Sequence, residues 1–291
     1  MAEPDELFTL KNQFWVGNYR NAISEASMLG HLNGAMKIER DVYVYRAYLG
    51  LYEYDHVLKS ISDNPDTPIA LSSVKLFAMY CTGGDKEIIL LTLKEWLTEG
   101  NSSENPHLLL IAGIIYMQEG KLSDALSALH KGNSLEHMLT IVQLYARVNR
   151  LDLALKQLQD MKRIEEDSTC TQLAQAWFWV LKGGENADEA AQLFQELTDR
   201  FGKTCLLLNG GAVAYMALRN YVEAERLLLE AYSKESQNQD TLTNLIVVST
   251  HLKRSNAQYI GELQKVAPMN AWLINLSRLE QEYLTAAASF A

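Results

Sequence analysis

The sequence contains little of the chemistry that marks secreted or metal-binding proteins. Its 291 residues include only three cysteines, Cys81, Cys170 and Cys205, and each stands alone. An odd number of isolated cysteines without a CxxC pair argues against both a disulfide framework and a zinc site. The closest histidines, His130 and His137, are expected on different helices or in the turn between them, and no motif of the HExxH kind is present. We therefore expect no metal and no cofactor.

Proline is also scarce, and its placement favours helices. Only five prolines occur, Pro4, Pro65, Pro68, Pro106 and Pro268, and long proline-free stretches separate most of them. Because proline costs about 3 kcal/mol inside a helix, such stretches suit an all-helical chain.

Basic residues are outnumbered, and no apolar run is long. The chain has 26 basic and 36 acidic residues, for a net charge of −10, and no Lys/Arg run that could follow a phosphate backbone. Nucleic acid and anionic membranes are therefore disfavoured as direct partners. The first eight residues, MAEPDELF, lack the basic start of a signal peptide, and the longest apolar run, 108–117, is half a membrane span. These features predict a cytosolic protein.

What the sequence does have is an internal repeat. A large residue, usually tyrosine, is followed nine positions later by a small or aliphatic residue. The pairs are Tyr48/Val57, Tyr80/Ile89, Tyr116/Ala125, Tyr145/Ala154, Leu181/Ala190 and Tyr215/Ala224. The first and last of the large residues lie 167 positions apart in five steps, or 33.4 residues per step. That spacing is close to the tetratricopeptide period of 34 residues.

The spacing has a structural explanation. The large residue is expected near the end of a first helix, and the small one near the start of a second, antiparallel helix, where it allows the two backbones to approach closely. A further apolar residue follows each small one by four positions, on the same helical face. These residues are Ile61, Leu93, Leu129, Leu158, Phe194 and Leu228. The pattern predicts an all-α superhelix of tetratricopeptide-type repeats, an α-solenoid.

We expect one array over residues 1–291, with regular repeats at about 38–237. At the amino-terminal end, Phe14, Tyr19, Ala22 and Ala26 form only a partial match to the repeat. Near the other end, Ser249 occupies the aromatic position, and 256–291 looks helical without repeat spacing. Terminal repeats of solenoids are commonly atypical because they cap the stack, so both ends are predicted to be capping helices.

Motifs of catalysis are missing. The glycine pairs Gly83-Gly84 and Gly210-Gly211 lack the residues that complete a phosphate-binding loop, and no GxSxG or Cys/His signature is present. We expect a turn at the first pair and close helix packing at the second. Solenoids also present grooves, whereas enzymes need deep pockets. The sequence therefore predicts a binding protein and not an enzyme.

The first helices of such an array line its inner groove, where a partner can bind. The predicted groove residues are mostly apolar, which is typical of interaction sites. They are Val74, Leu110, Ile114, Met117, Trp179, Val213, Met216 and Val247. Only Arg46 and Lys182 supply positive charge at groove positions, so a clamp for peptide carboxylates is disfavoured.

The segment 107–117 leaves two explanations open. It is apolar on every face, and such a helix is expected to be buried on every face. Neighbouring repeats supply half of that burial. The rest comes either from a partner segment in the groove or from the chain itself, as broad core helices or as a superhelix that closes on itself. We favour the partner segment, because large exposed apolar patches mark interaction sites.

Several segments resemble the epsilon subunit of coatomer. They include DELFTLKNQFWVGNYRNAISEA (5–26), ERDVYVYRAYL (39–49), LDLALKQL (151–158), TQLAQAWFWVLKGGE (171–185), LLLNGGAVAYMAL (206–218) and TLTNLIVVSTHL (241–252). The resemblance implies a non-catalytic subunit of the cytosolic coat of Golgi membranes and coated vesicles, which serves Golgi-to-ER retrograde and intra-Golgi transport. It implies the C-terminal domain of the alpha subunit as the direct partner, and contact with the membrane only through the assembled coat. The alternative is a generic cytosolic tetratricopeptide adaptor in another complex.

Overall fold

The computed structural model describes residues 5–290. Over these residues the chain forms seventeen α-helices and one short 3-10 helix, with no β-strand, so the predicted all-helical class is confirmed. The helices form two compact units that meet in sequence between Leu181 and Lys182. A single array with regular repeats at about 38–237 stays a prediction.

The first unit consists of alternating first and second helices of the repeat. The first helices are α1 (Phe8–Trp15), α3 (Gly34–Gly50), α5 (Ile69–Cys81), α7 (Pro106–Gln118), α9 (Leu135–Arg147) and α11 (Thr169–Lys182). The second helices are α2 (Tyr19–Met28), α4 (Tyr54–Ser60), α6 (Lys86–Thr98), α8 (Leu122–Leu129) and α10 (Leu151–Glu165), and the 3-10 helix Gly100–Glu104 follows α6. Within this unit α3, α5, α7 and α9 pack side by side.

The second unit continues the alternation and ends in a long helix. Its helices are α12 (Asn186–Phe201), α13 (Cys205–Ala217), α14 (Tyr221–Lys234), α15 (Gln239–His251), α16 (Ala257–Val266) and α17 (Ala271–Ala288). The region without repeat spacing, 256–291, is thus helical over most of its described part, as predicted.

The predicted repeat register is confirmed at the second helices. The six small or aliphatic positions, from Val57 to Ala224, are at most 1% exposed. The six apolar positions four residues further on are at most 3% exposed. The partial match at the amino-terminal end follows the same rule, because Ala22 and Ala26 in α2 are 0% and 4% exposed. A small side chain at the first of these positions allows adjacent helices to approach closely.

The large residues of the pattern follow the prediction less uniformly. Each lies near the end of a first helix, as expected, and the five tyrosines are buried or partly buried. Leu181 is 50% exposed, however, so its predicted role in filling the space between two helices is wrong. It lies one residue before the end of α11, and its branched side chain is shorter than a tyrosine ring.

The turns explain the constant spacing of nine. In every turn from a first to a second helix, at least one residue adopts positive φ; examples are Gly120 at 72° and Asn149 at 57°. This conformation ends a helix and allows an amide beyond the turn to bond back to the helix. The amide of Lys121 donates to the carbonyl of Tyr116 at 2.8 Å. Ser249 stands at the aromatic position of the last turn of this kind, and its backbone carbonyl accepts the equivalent bond from the amide of Arg254 at 2.8 Å. The turn therefore does not depend on an aromatic ring.

The packing predicts the effect of adding volume at a small position. Ala154 in α10 is 0% exposed, and Ala154→Leu is expected to lower the free energy of unfolding by about 1–3 kcal/mol because the added carbons strain a closely packed core. Urea unfolding measures the change. Lys156→Leu adds a leucine at an exposed position of the same helix and serves as the control. Equal stability of the two variants would show that the register is wrong.

Candidate partner-binding surfaces

Three of the predicted groove residues on first helices of the first unit are partly exposed. Ile114 and Met117 lie in the second half of α7, and Trp179 lies near the end of α11. Each is partly buried, packed on one side against the core and open on the other. We call these three residues the first-unit surface.

The second unit presents a comparable surface. Val213 and Met216 lie on α13, and Val247 lies on α15, which packs against α13. All three side chains are partly buried, whereas the second-helix positions of the repeat are fully buried. We call these residues the second-unit surface.

Two predicted groove residues belong to the core. Val74 on α5 is 0% exposed and Leu110 on α7 is 2% exposed. Both lie in the apolar cluster of the first unit, where α5 and α7 pack against each other and against neighbouring first helices. Their side chains point at these helices and not at solvent, so the prediction that they line an open groove is wrong.

The first and last helices of the first unit meet through polar and apolar contacts. Thr169 on α11 donates a hydrogen bond to the side-chain oxygen of Asn12 on α1 at 2.6 Å, and both residues are buried. Trp15 on α1 packs against the cluster that contains Val142 of α9 and Cys170 of α11. Residues more than 120 positions apart are thereby joined, so the first helices close on each other within this unit.

A buried ion pair reinforces this closure. The guanidinium of Arg46 on α3 donates two hydrogen bonds to the carboxylate of Glu136 on α9, one of them at 3.1 Å. Both side chains are 11% exposed. The Tyr43 hydroxyl also donates to Glu136, at 3.3 Å. Arg46 lies over two rings, 4.6 Å from the centroid of Phe14 and 5.5 Å from that of Tyr43. We refer to Asn12, Tyr43, Arg46, Glu136 and Thr169 as the polar closure.

The electrostatics keep this cluster in one charge state. Burial alone would raise the pKa of Glu136, but the attraction and hydrogen bonds of Arg46 outweigh it and hold the pKa below its usual value. His107, whose ring meets Tyr43 edge to face at 6.4 Å, has its pKa lowered to about 4, first by burial and then by the positive charge of Arg46. The imidazole of His107 is therefore neutral at pH 7, and the ion pair is the charged part of the cluster.

The lowered pKa of His107 predicts a pH dependence of stability. Between the folded pKa of about 4 and the ordinary value of 6.5, the unfolded chain binds a proton that the folded chain does not. The contribution of His107 to the free energy of unfolding is roughly 2 kcal/mol for this partly exposed group. It should be fully present above pH 6.5 and be lost as the pH falls towards 4. Urea unfolding of the wild type and of His107→Gln between pH 4 and 7 measures the difference. Parallel pH profiles would contradict the assignment.

Packing within the first unit decides between the explanations for the apolar segment 107–117. In α7 every residue from Leu108 to Gly113 is buried, as are Ile115 and Tyr116, by helices of the same chain. Packing against the neighbouring helices α5, α8 and α9 therefore accounts for most of this burial without a partner. Apart from His107 at its start, the partly exposed residues of the segment are Ile114 and Met117 in the second half of the helix.

Sequence reasoning missed the polar closure. Arg46 was considered only as part of a carboxylate clamp, and Glu136 was not considered at all. The available signal was that Arg46 and Glu136, which carry opposite charges, both lie on first helices, whose predicted groove positions are mostly apolar. Their partnership was invisible because 90 residues separate them.

One cleft in the first unit has a cavity volume of about 620 Å³ and lies beside α5 and α6. Its one lysine, Lys75, binds the Asp63 carboxylate at 2.5 Å and the Ile61 carbonyl at 2.8 Å.

Across residues 5–290 no group of three His, Cys, Asp or Glu side chains is arranged to hold a metal ion. Within the same part of the chain, no helix is both long and apolar enough to cross a bilayer.

Solved structures of low sequence identity share this fold. A tetratricopeptide repeat protein from Parabacteroides merdae superimposes with a TM-score of 0.60 at 14% identity, covering 88% of this chain and 96% of its own. A chain of the APC/C hetero-tetramer Cut9–Hcn1 gives a TM-score of 0.63 at 13% identity, covering 93% of this chain and 54% of its own. Together with the confirmed helix register, they define a helical-repeat protein of the tetratricopeptide class.

Sequence comparisons identify the family within that class. The family model of the coatomer epsilon subunit matches residues 3–291, and the chain belongs to this family. Coatomer subunit epsilon-1 of Oryza sativa subsp. japonica is 41% identical, with 92% of each chain covered. Coatomer subunit epsilon-1 of Arabidopsis thaliana is 38% identical over 100% of this chain and 99% of its own. The chain is thus a structural coat component that assembles with other coatomer subunits, and the alternative of an adaptor in an unrelated complex is removed.

Proposed function

We propose that this chain binds and stabilises the C-terminal domain of the coatomer alpha subunit, and that it has no catalytic role. It acts in the cytoplasm and reaches Golgi membranes and coated vesicles only as part of the assembled coat. There it supports Golgi-to-ER retrograde and intra-Golgi transport.

The observation that supports this proposal is the partial exposure of apolar residues on first helices. The second helices bury their small positions completely, and the polar closure pairs Arg46 with Glu136 on the first helices of the first unit. The first-unit surface (Ile114, Met117, Trp179) and the second-unit surface (Val213, Met216, Val247) are the predicted groove positions that stay partly exposed. Exposed apolar side chains of this kind mark interaction sites, and tryptophan is enriched among residues that dominate binding energy.

The proposal predicts separate effects on binding and on stability. Ile114→Glu and Trp179→Glu place a carboxylate at the first-unit surface, where it would be buried without a partner in the complex but hydrated in the free chain. The affinity for the recombinant C-terminal domain of the alpha subunit, measured by calorimetry, is expected to fall by about 30-fold or more, which corresponds to about 2 kcal/mol. The melting temperature of the free chain should change little.

A matched control uses an apolar residue on a second helix. Leu155 on α10 is 41% exposed and belongs to a second helix of the repeat, so Leu155→Glu should leave the affinity unchanged. Folded Ile114→Glu and Trp179→Glu proteins that bind with wild-type affinity would rule out the first-unit surface. Unfolding of both variants would place the two residues in the core instead.

A further inference from the structure

The last helix, α17, is attached to the fold only at its beginning. Leu273 is 6% exposed and packs with Leu242, Ile246 and Leu263, and Trp272 lies against the same cluster. From residue 277 to residue 290, by contrast, every side chain is exposed. Most of α17 therefore extends beyond the apolar contacts that hold its first turn.

The exposed part of α17 carries an apolar stripe. Leu276, Leu279, Tyr283 and Ala286 follow one another at alternating steps of three and four residues, and Phe290 continues the series just past the helix end. This is the spacing of the two apolar positions in a coiled-coil heptad, which places the four helical residues on one face. The exposed fractions are large: 54% for Leu279, 72% for Tyr283 and 92% for Phe290. A contiguous apolar face of this kind is typical of an interaction site.

The charges beside the stripe indicate what kind of helix would fit it. Glu280 borders the stripe on one side and Glu282 on the other, at the heptad positions where partner helices exchange salt bridges. Arg278, the only basic residue of α17, lies on the far side and binds Glu282 at 2.9 Å. A second copy of this chain would bring further carboxylates to these edges, and an anionic membrane would be repelled by them. Lysine or arginine at the edges of a partner helix would complement them.

We infer that α17 docks against an amphipathic helix of another coat subunit, with apolar residues at the same spacing and Lys or Arg at its edges. The stripe covers two heptads, or about 21 Å of helix, which is too short to hold an isolated helix pair together. The contact therefore forms together with binding at a separate surface. That binding holds the partner helix close to α17 and so raises its local concentration there. It involves none of the residues of the first-unit and second-unit surfaces, so the two proposals stand or fall separately.

Photo-crosslinking in the assembled coat tests the inference. A photoreactive amino acid replaces Tyr283 in the full chain, the coat is isolated, and the adduct is mapped by mass spectrometry. The expected adduct lies in another subunit, in a segment with apolar residues at heptad spacing and with basic edges. An adduct with a second copy of this chain, with lipid, with a segment lacking that pattern, or with no protein at all would overturn the inference.

A pair of charge variants provides the control. Leu279→Glu places a carboxylate in the stripe, and Gln281→Glu places one on the opposite, exposed face of the same helix. Because both positions are exposed, neither variant should change the melting temperature of the isolated chain. In the coat, Leu279→Glu is expected to reduce the adduct yield at position 283 by about tenfold or more, because the charge would be buried without a partner, and Gln281→Glu should not reduce it. Equal yields from the two variants would contradict the docking.

Discussion

Replacing Glu136 by alanine is expected to lower the free energy of unfolding by about 3–5 kcal/mol, because it leaves the buried guanidinium of Arg46 without its carboxylate. Arg46 is 11% exposed, so water cannot replace the lost partner fully. Chemical unfolding at pH 7 measures the effect. Because the pKa of Glu136 is lowered in the fold, its stabilisation is lost as the pH falls through that value, and the deficit of Glu136→Ala should shrink in acid.

Two controls distinguish the cost of an uncompensated buried charge from the cost of losing an exposed salt bridge. Glu282→Ala removes an exposed partner of Arg278 and should cost at most about 0.5 kcal/mol. Replacing Arg46 and Glu136 together by methionine should recover much of the deficit, because a buried pair is often exchangeable for apolar residues of similar volume. A double variant no more stable than Glu136→Ala would show that the deficit does not come from an uncompensated charge.

Phe194→Ala is expected to cost about 3–5 kcal/mol, because it empties the space filled by the largest fully buried side chain of the second unit. The ring lies directly over Gly210 on α13, where an added Cβ would come within 2.3 Å of it. Gly210→Ala should therefore also destabilise the protein, by overpacking. Unfolding measurements on Phe194→Leu, Gly210→Ala and Phe194→Leu/Gly210→Ala form a double-mutant cycle, in which the double variant should lose less than the sum of the single losses.

A glycine in open surroundings provides the comparison for Gly210. Gly261 lies within α16, with nothing within 4 Å of the position of an added Cβ. Gly261→Ala should be neutral or stabilise the protein by up to about 1 kcal/mol, since alanine is the better helix former. Losses that add without coupling, or a Gly210→Ala variant as stable as Gly261→Ala, would contradict the close approach of α12 and α13.

The polar closure changes how the first helices are interpreted. A groove lined by apolar residues suggested one continuous surface for a partner. In the first unit, however, contacts such as Arg46–Glu136 and Thr169–Asn12 join the first helices to one another. Of the predicted groove residues of this unit, only Ile114, Met117 and Trp179 stay partly exposed, so the proposed contact is narrower than the sequence indicated.

The sequence alone was sufficient for the helix pairs. The spacing of nine between Tyr145 and Ala154 reports a turn and two short helical stretches, all of which are local. Ala154 at 0% and Leu158 at 1% are buried where this helix pair meets the next first helix, α11, as any regular repeat array requires. The family resemblance, which rests on longer segments such as ERDVYVYRAYL, was likewise visible without a structure and is confirmed by the family match over residues 3–291.

Only the tertiary structure decided which first-helix residues are covered. Val74 and Leu110 occupy the same kind of position as Ile114, yet they are buried while Ile114 is partly exposed. The Arg46–Glu136 pair joins positions 90 residues apart. The physical reason is that the curvature of a repeat array is the sum of small rotations between successive repeats. A periodic pattern specifies each repeat but not that sum, and the sum determines which distant helices meet.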